Sequence, residues 1–132
     1  MAVGPEPNLK ATGRFERSRR LLVRREFLRV QGRGIRIEGR HFVVVSLKGE
    51  ADQGSARLGL SIGKRVGGAV IRNRLKRLIR EAFRRMNEMP GVDVVVIAKT
   101  SAAALAREGF EALVRELLPA IERAARRAEA RP

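Results

Sequence analysis

Residues 61–85 read "SIGKRVGGAVIRNRLKRLIREAFRR", and how that stretch folds decides the rest. At about 100° per residue, Ile71, Leu75, Leu78, Ile79, Ala82, Phe83 and Met86 gather into an arc of about 140°, the apolar stripe of a helix that packs on a sheet. Arg72, Lys76, Arg80 and Arg84 descend one flank of that arc at i, i+4 spacing, with Arg77 just beyond them and Arg74 and Arg85 on the other side. Like charges at that spacing cost helix stability, about a few tenths of a kcal/mol per pair. Only Glu81 relieves them, so the row serves something other than the helix itself. Arg72 falls inside the apolar arc by angle, between Ile79 and Phe83, so its charge must emerge at the seam where helix meets sheet.

The neighbouring sequence supplies the sheet. "HFVVVSL" (residues 41–47) and "ARLGLSIG" (56–63) read as strands separated by a Gly-, Asp- and Ser-containing loop at 49–55, with a hairpin as their simplest arrangement. "GRGIRIEGR" (32–40) can form a further short strand and turn. Pro90-Gly91 closes the basic helix, and "VDVVVIAKT" (92–100) is another apolar strand. Upstream, Leu22, Val23, Phe27 and Val30 lie at near-helical spacing in a first helix that stops at Gly32. Downstream, residues 102–127 return to helical spacing, with Pro119 placed to kink them. Residues 1–13, with Gly4, Pro5, Pro7 and Gly13, read as a disordered arm, and 128–132 as a tail. The domain between them, 14–127, is α+β: one sheet with helices against it.

Charge names the class of partner. The chain has 132 residues, with 29 Lys and Arg against 14 Asp and Glu, a net charge of +15. A compact body carrying that charge repels itself unless a polyanion is its usual neighbour. The cations are unevenly spread: residues 10–40 hold eleven against three acids, and residues 57–87 hold ten against Glu81 alone. Zero cysteines rules out disulfides and thiolate metal sites. No apolar run reaches membrane-spanning length, and "MAVGPEPNLK" lacks the pattern of a signal peptide, so a cytoplasmic setting is expected.

Enzymatic constellations are sparse. His41 is the single histidine, so any Ser-His-acid relay must use it, and its place at a strand start reads more simply as an edge residue. "GLSIGKR" has three residues rather than four between Gly59 and Gly63, and Arg65 stands where a phosphate-binding loop needs Ser or Thr. "GRGIRI" lacks the third glycine of a dinucleotide fingerprint. No catalytic and no metal-binding side chains are expected. Gly67-Gly68 admits two readings, a backbone that approaches phosphates closely or a turn that needs positive φ.

"RLGLSIGKRVGGAVIRNRLKRLIREAF" resembles the signature of the bacterial ribonuclease P protein subunit. Its most distinctive feature is Arg72-Asn73-Arg74, followed by Lys76-Arg77 and preceded by Lys64-Arg65-Val66-Gly67. "RREFLRVQGRG", "GRHFVVVSL" and "VDVVVIAKTSAAAL" agree in order and spacing, so the resemblance covers residues 22–118. It implies an αβββαβα sandwich like ribosomal protein S5 domain 2, with a left-handed βαβ crossover. It also implies that Lys64, Arg65, Arg72, Asn73, Arg74, Lys76, Arg77 and Arg80 contact the ribonuclease P RNA. A cleft near Arg24, Phe27, Arg29, Val43 and Val45 would hold the 5′ leader of precursor tRNA, and Mg2+ held by RNA and substrate would carry out cleavage. Gln31 and Val45 stand where the family often has aromatics, which shifts the expected leader contacts from stacking toward Arg24, Arg29 and the backbone. Phe27 reads equally as core or as leader contact. A noncatalytic ribosomal or RNA-chaperone protein is the first rival. A DNA-binding helix-turn-helix lacks its preceding helix, and a membrane-surface helix would leave the strands uncovered; neither DNA nor membrane is an expected partner.

Overall fold

A computed structural model of the chain describes residues 20, 23–49, 54–86, 89 and 91–131. The arm expected over residues 1–13 lies outside them. In chain order the elements are α1 (Arg24–Arg33), β1 (Ile35–Glu38), β2 (Phe42–Lys48), β3 (Arg57–Ser61), α2 (Ala69–Arg85), β4 (Val92–Ala98), a 3-10 turn (Thr100–Ala102), α3 (Ala103–Glu108) and α4 (Phe110–Ala130). That is the αβββαβα order, with its last helical segment in two pieces.

The four strands form one sheet in the order β1-β2-β4-β3. The hairpin expected between β2 and β3 is not there. Strand β2 pairs antiparallel with β1 and with β4, matching Val44 to Val96 and Val45 to Val95. Strand β3 pairs parallel with β4, Leu58 against Val94 and Leu60 against Val96. The physical reason is in the side chains. Val92 to Val96 is buried at every position, as is Phe42 to Ser46, and strands apolar on both faces belong in the middle of a sheet. The two Val-rich strands therefore pair with each other, and β3 takes the outer place beside β4, joined to it through α2.

The alternation of each strand sorts its side chains onto two faces. On the first, Phe42, Val44, Leu58, Val92, Val94 and Val96 pack with Leu75, Ile79 and Phe83 of α2 and with Leu113, Leu117 and Ile121 of α4. This is the main core, and the arc expected on α2 is the surface that it contributes. On the second face, among the described residues, only α1 covers the sheet: its Val30 is buried on Val43, Val45 and Val95, with Phe27, Leu47 and Ile97 partly buried around them.

Two helix ends differ from expectation. Helix α1 passes through Gly32, where an added Cβ would meet nothing within 4 Å, and stops before Gly34. A Cβ at Gly34 would lie 2.6 Å from the Val30 carbonyl oxygen and 2.7 Å from Val45 Cγ1. The close approach of chain to strand is what demands glycine there, while Gly32 is an ordinary exposed helical position. The last helical segment breaks at Gly109, φ 98°, between α3 and α4, and Pro119 sits inside an uninterrupted α4. Only glycine enters that backbone region at little cost, so it ends a helix more decisively here than proline does. Helix α4 runs on to Ala130, past the expected limit at 127, because Ala124, Ala125 and Ala128 continue its buried stripe.

Candidate nucleic-acid interface

The turn before α2 is closed by hydrogen bonds from the Val66 amide to the Gly63 carbonyl (3.1 Å) and from the Gly67 amide to the Lys64 carbonyl (3.2 Å). Val66 is buried beneath it, which leaves Lys64 and Arg65 on the outside. Gly68 caps the helix without a side-chain hydrogen bond, and no acid lies in the first turn. Gly67 and Gly68 both have negative φ, since Gly109 alone among the described residues is positive; the positive-φ reading of that pair is overturned. Gly67 instead makes room for Ile71, whose Cγ2 would lie 3.1 Å from an added Cβ.

Arg72 sits at the seam, as its helical angle demands. It is half-buried, and its Nε donates to the Gly67 carbonyl at 3.0 Å, so it fastens the turn while its guanidinium reaches the rim. Lys76 and Arg80 follow it, half-buried, down the same flank, and Asn73, Arg74 and Arg77 are exposed. Burial, with Arg20 nearby, holds the Arg80 guanidinium below its ordinary pKa. Further along, the helix neutralises itself. Glu81 accepts from Arg84 Nη2 at 2.6 Å and from Arg85 Nε at 2.6 Å, and the Arg85 guanidinium lies 4.9 Å from the centre of the Phe110 ring. Burial raises the Glu81 pKa, but these hydrogen bonds outweigh it and the carboxyl ends below its ordinary value. On α2 the unneutralised positive surface is therefore the N-terminal half, continued by the turn before it.

The residues expected in a leader cleft are divided by the structure. Arg24 is exposed, and Phe27 is partly buried on the second-face cluster. Val43 is nearly covered, and Val45 is fully buried beneath Val30 and Gly34. Val45 therefore lies under the floor rather than on it, a correction that follows from α1 crossing the sheet at that point. Arg29 turns inward, and its Nη2 donates to Asp93 Oδ2.

Asp93 is the residue that sequence reasoning missed. It is 0% exposed and faces α1 from the start of β4, one residue in from Val92. Besides Arg29 it accepts from Arg57 Nε (2.9 Å) and Nη2 (3.0 Å), and Arg57 Nη1 also donates to Glu26 of α1 at 3.0 Å. The hydrogen bonds to Asp93, acting against burial, raise the Arg57 pKa. This network ties α1 to two strands across the face with the smaller apolar cluster. Its signal was available: a lone acid in "VDVVVIA" must meet cations once buried.

His41 immediately precedes the inner strand β2 and is no free edge residue. Its Nδ1 lies 2.8 Å from Ser101 Oγ, and its backbone amide donates to Glu116 Oε2 at 2.7 Å. Glu116 Oε1 is 4.0 Å from Nε2, outside hydrogen-bond range. The three side chains staple β2 to α4 and to the 3-10 turn rather than forming a relay. Among the described residues no three His, Asp or Glu side chains are grouped to hold a metal, and no helix is long and apolar enough to cross a membrane.

Fold and charge together define a small basic α+β protein with a row of cations along one helix beside a mixed sheet. The family model for ribonuclease P matches residues 15–124. The ribonuclease P protein component of Brevibacillus brevis is 42% identical over 74% of this chain and 78% of its own length. That of Desulfovibrio desulfuricans is 38% identical over 86% and 89%. Among solved structures, the RNase P protein of Thermotoga maritima superposes with a TM-score of 0.69 at 32% identity, covering 79% of this chain and 96% of that one. A Staphylococcus aureus RNase P protein reaches 0.72 at 29% identity, over 80% and 94%. The chain belongs to the ribonuclease P protein family.

Proposed function

We propose that this protein is the subunit of a ribonucleoprotein endonuclease that matures the 5′ end of precursor tRNA in the cytoplasm. It binds the ribonuclease P RNA through Lys64, Arg65, Arg72, Asn73, Arg74, Lys76, Arg77 and Arg80. The observation that carries the reading is the asymmetry of α2. Its C-terminal cations Arg84 and Arg85 are hydrogen-bonded to Glu81, while its N-terminal half contains no acid. An RNA backbone would neutralise that half and release its own counterions.

The precursor-tRNA leader lies on the second face of the sheet beside α1, in contact with Arg24 and Phe27 and bordered by Val43. Arg29 orients this surface from its bond to Asp93 more than it contacts the leader. The protein makes and breaks no bonds itself; Mg2+ bound by RNA and substrate supplies the cleavage chemistry. Membership of the family supports the RNA partner, and the positions of the cations support the surface.

Reconstitution tests the reading. With a bacterial ribonuclease P RNA at low Mg2+, added protein is expected to raise the rate of precursor tRNA cleavage well above that of the RNA alone. No stimulation, with an RNA that is active at high Mg2+, would contradict it.

A further inference from the structure

Val70 lies in the first turn of α2 and is 82% exposed, against 53% for Leu28 and 45% for Val23, the other large apolar residues exposed among those described. Asn73 and Arg74 follow it one turn on and Arg77 two turns on, so all four share the outward face of the helix. That face is opposite the buried Leu75, Ile79 and Phe83, so nothing among the described residues covers Val70. A β-branched residue at an exposed helical position loses propensity relative to alanine and gains nothing by burial. An isolated exposed valine on a neutral surface needs no explanation. One ringed by a carboxamide and two cations without hydrogen-bond partners among the described residues is different, because a polyanion drawn to those groups must cover it.

Resting on the RNA-binding reading above, we infer that Val70 is the apolar centre of the RNA interface and packs against the face of an unpaired nucleobase. Asn73, Arg74 and Arg77 hold the phosphates on either side of that base. Unpaired RNA offers both groups together, since its splayed bases expose flat apolar faces between charged linkages. The charged side chains then supply salt-dependent affinity, and Val70 supplies a contact that salt does not screen.

Salt titration separates the two contributions. Affinity of the full-length protein for a bacterial ribonuclease P RNA is measured from low to high salt for the parent, Val70→Ala, Val70→Thr and Arg74→Gln. Val70→Ala is expected to weaken binding by roughly three- to tenfold at every salt concentration, the loss expected for uncovering part of one aliphatic side chain. Its log–log salt slope should match the parent's. Val70→Thr keeps the shape but adds a hydroxyl, and it should also weaken binding. Arg74→Gln should lower the slope by about 0.7 to 0.9. Unchanged affinity for Val70→Ala, or a loss that disappears at high salt, overturns the inference. If Arg74→Gln also leaves affinity and slope unchanged, the RNA-binding reading of this face fails with it. Because Val70 touches no core residue, the thermal midpoint of Val70→Ala should be no lower than the parent's; a fall of several degrees would mean that Val70 has a structural role and would also overturn the inference.

Discussion

Replacing Lys76 and Arg77 together by glutamine is expected to weaken binding to the ribonuclease P RNA by roughly 25- to 60-fold at 0.1 M salt, with little loss at 1 M. The magnitude follows from counterion release. Each phosphate contact adds about 0.7 to 0.9 to the slope of log affinity against log salt, so two lost contacts remove about 1.4 to 1.8. Among the described residues neither makes a hydrogen bond or ion pair within the fold, and Arg77 is exposed, so thermal stability should be nearly unchanged. Arg72 will behave differently. Its Nε holds the Gly67 carbonyl, and Arg72→Gln is expected to loosen the turn that presents Lys64 and Arg65 as well as to remove a charge. Fluorescence anisotropy across a salt series checks both. A parallel shift of the whole titration with unchanged slope would mean that Lys76 and Arg77 contact no phosphate.

Asp93→Ala is expected to destabilise the protein by about 3 to 5 kcal/mol, the usual result of removing one partner from a buried ion pair. Arg29 of α1 and Arg57 of β3 would remain between helix and sheet with no carboxylate between them, and their side chains are 27% and 21% exposed, too little for water to replace it fully. For a domain of this size that is a large share of the total stability, and a fall of more than about 10 °C in the thermal midpoint should follow. Because the network fastens α1, amide exchange in α1 should accelerate more than in α2 when measured well below the midpoint. A midpoint within a degree or two of the parent's would show that the network contributes little.

The sequence made α2 readable because helix periodicity assigns each side chain a direction from its number alone. Leu75, Ile79, Ala82 and Phe83 are buried, and Arg72 is at the seam, as their angles require. Strand pairing was less accessible, since period two tells which side chains share a face but not which strand lies alongside. The preference for a β2–β3 hairpin followed chain order, whereas burial of both faces of β4 placed it between them. The helix ends misled for a related reason. Gly32 and Gly34 look alike in sequence, and only the approach of Val45 decides which of them must be glycine. At the site, cations free of local partners were legible as a group. The division among Arg24, Arg29 and Arg57 was not, because it depends on a carboxylate tens of residues away in the chain.

The central claim is that the N-terminal half of α2 faces the catalytic RNA. The chain contains no cysteine, so single cysteines at chosen positions can carry a tethered iron chelate that cuts nearby RNA. Ala69→Cys is exposed at the start of α2 and removes no charge; Arg126→Cys is exposed on α4, the helix that packs over β1 and β2. In the assembled complex the reagent on Ala69→Cys should cut the ribonuclease P RNA at a few discrete positions, while that on Arg126→Cys should cut it weakly or not at all. Strong cutting from Arg126→Cys with none from Ala69→Cys would contradict the account.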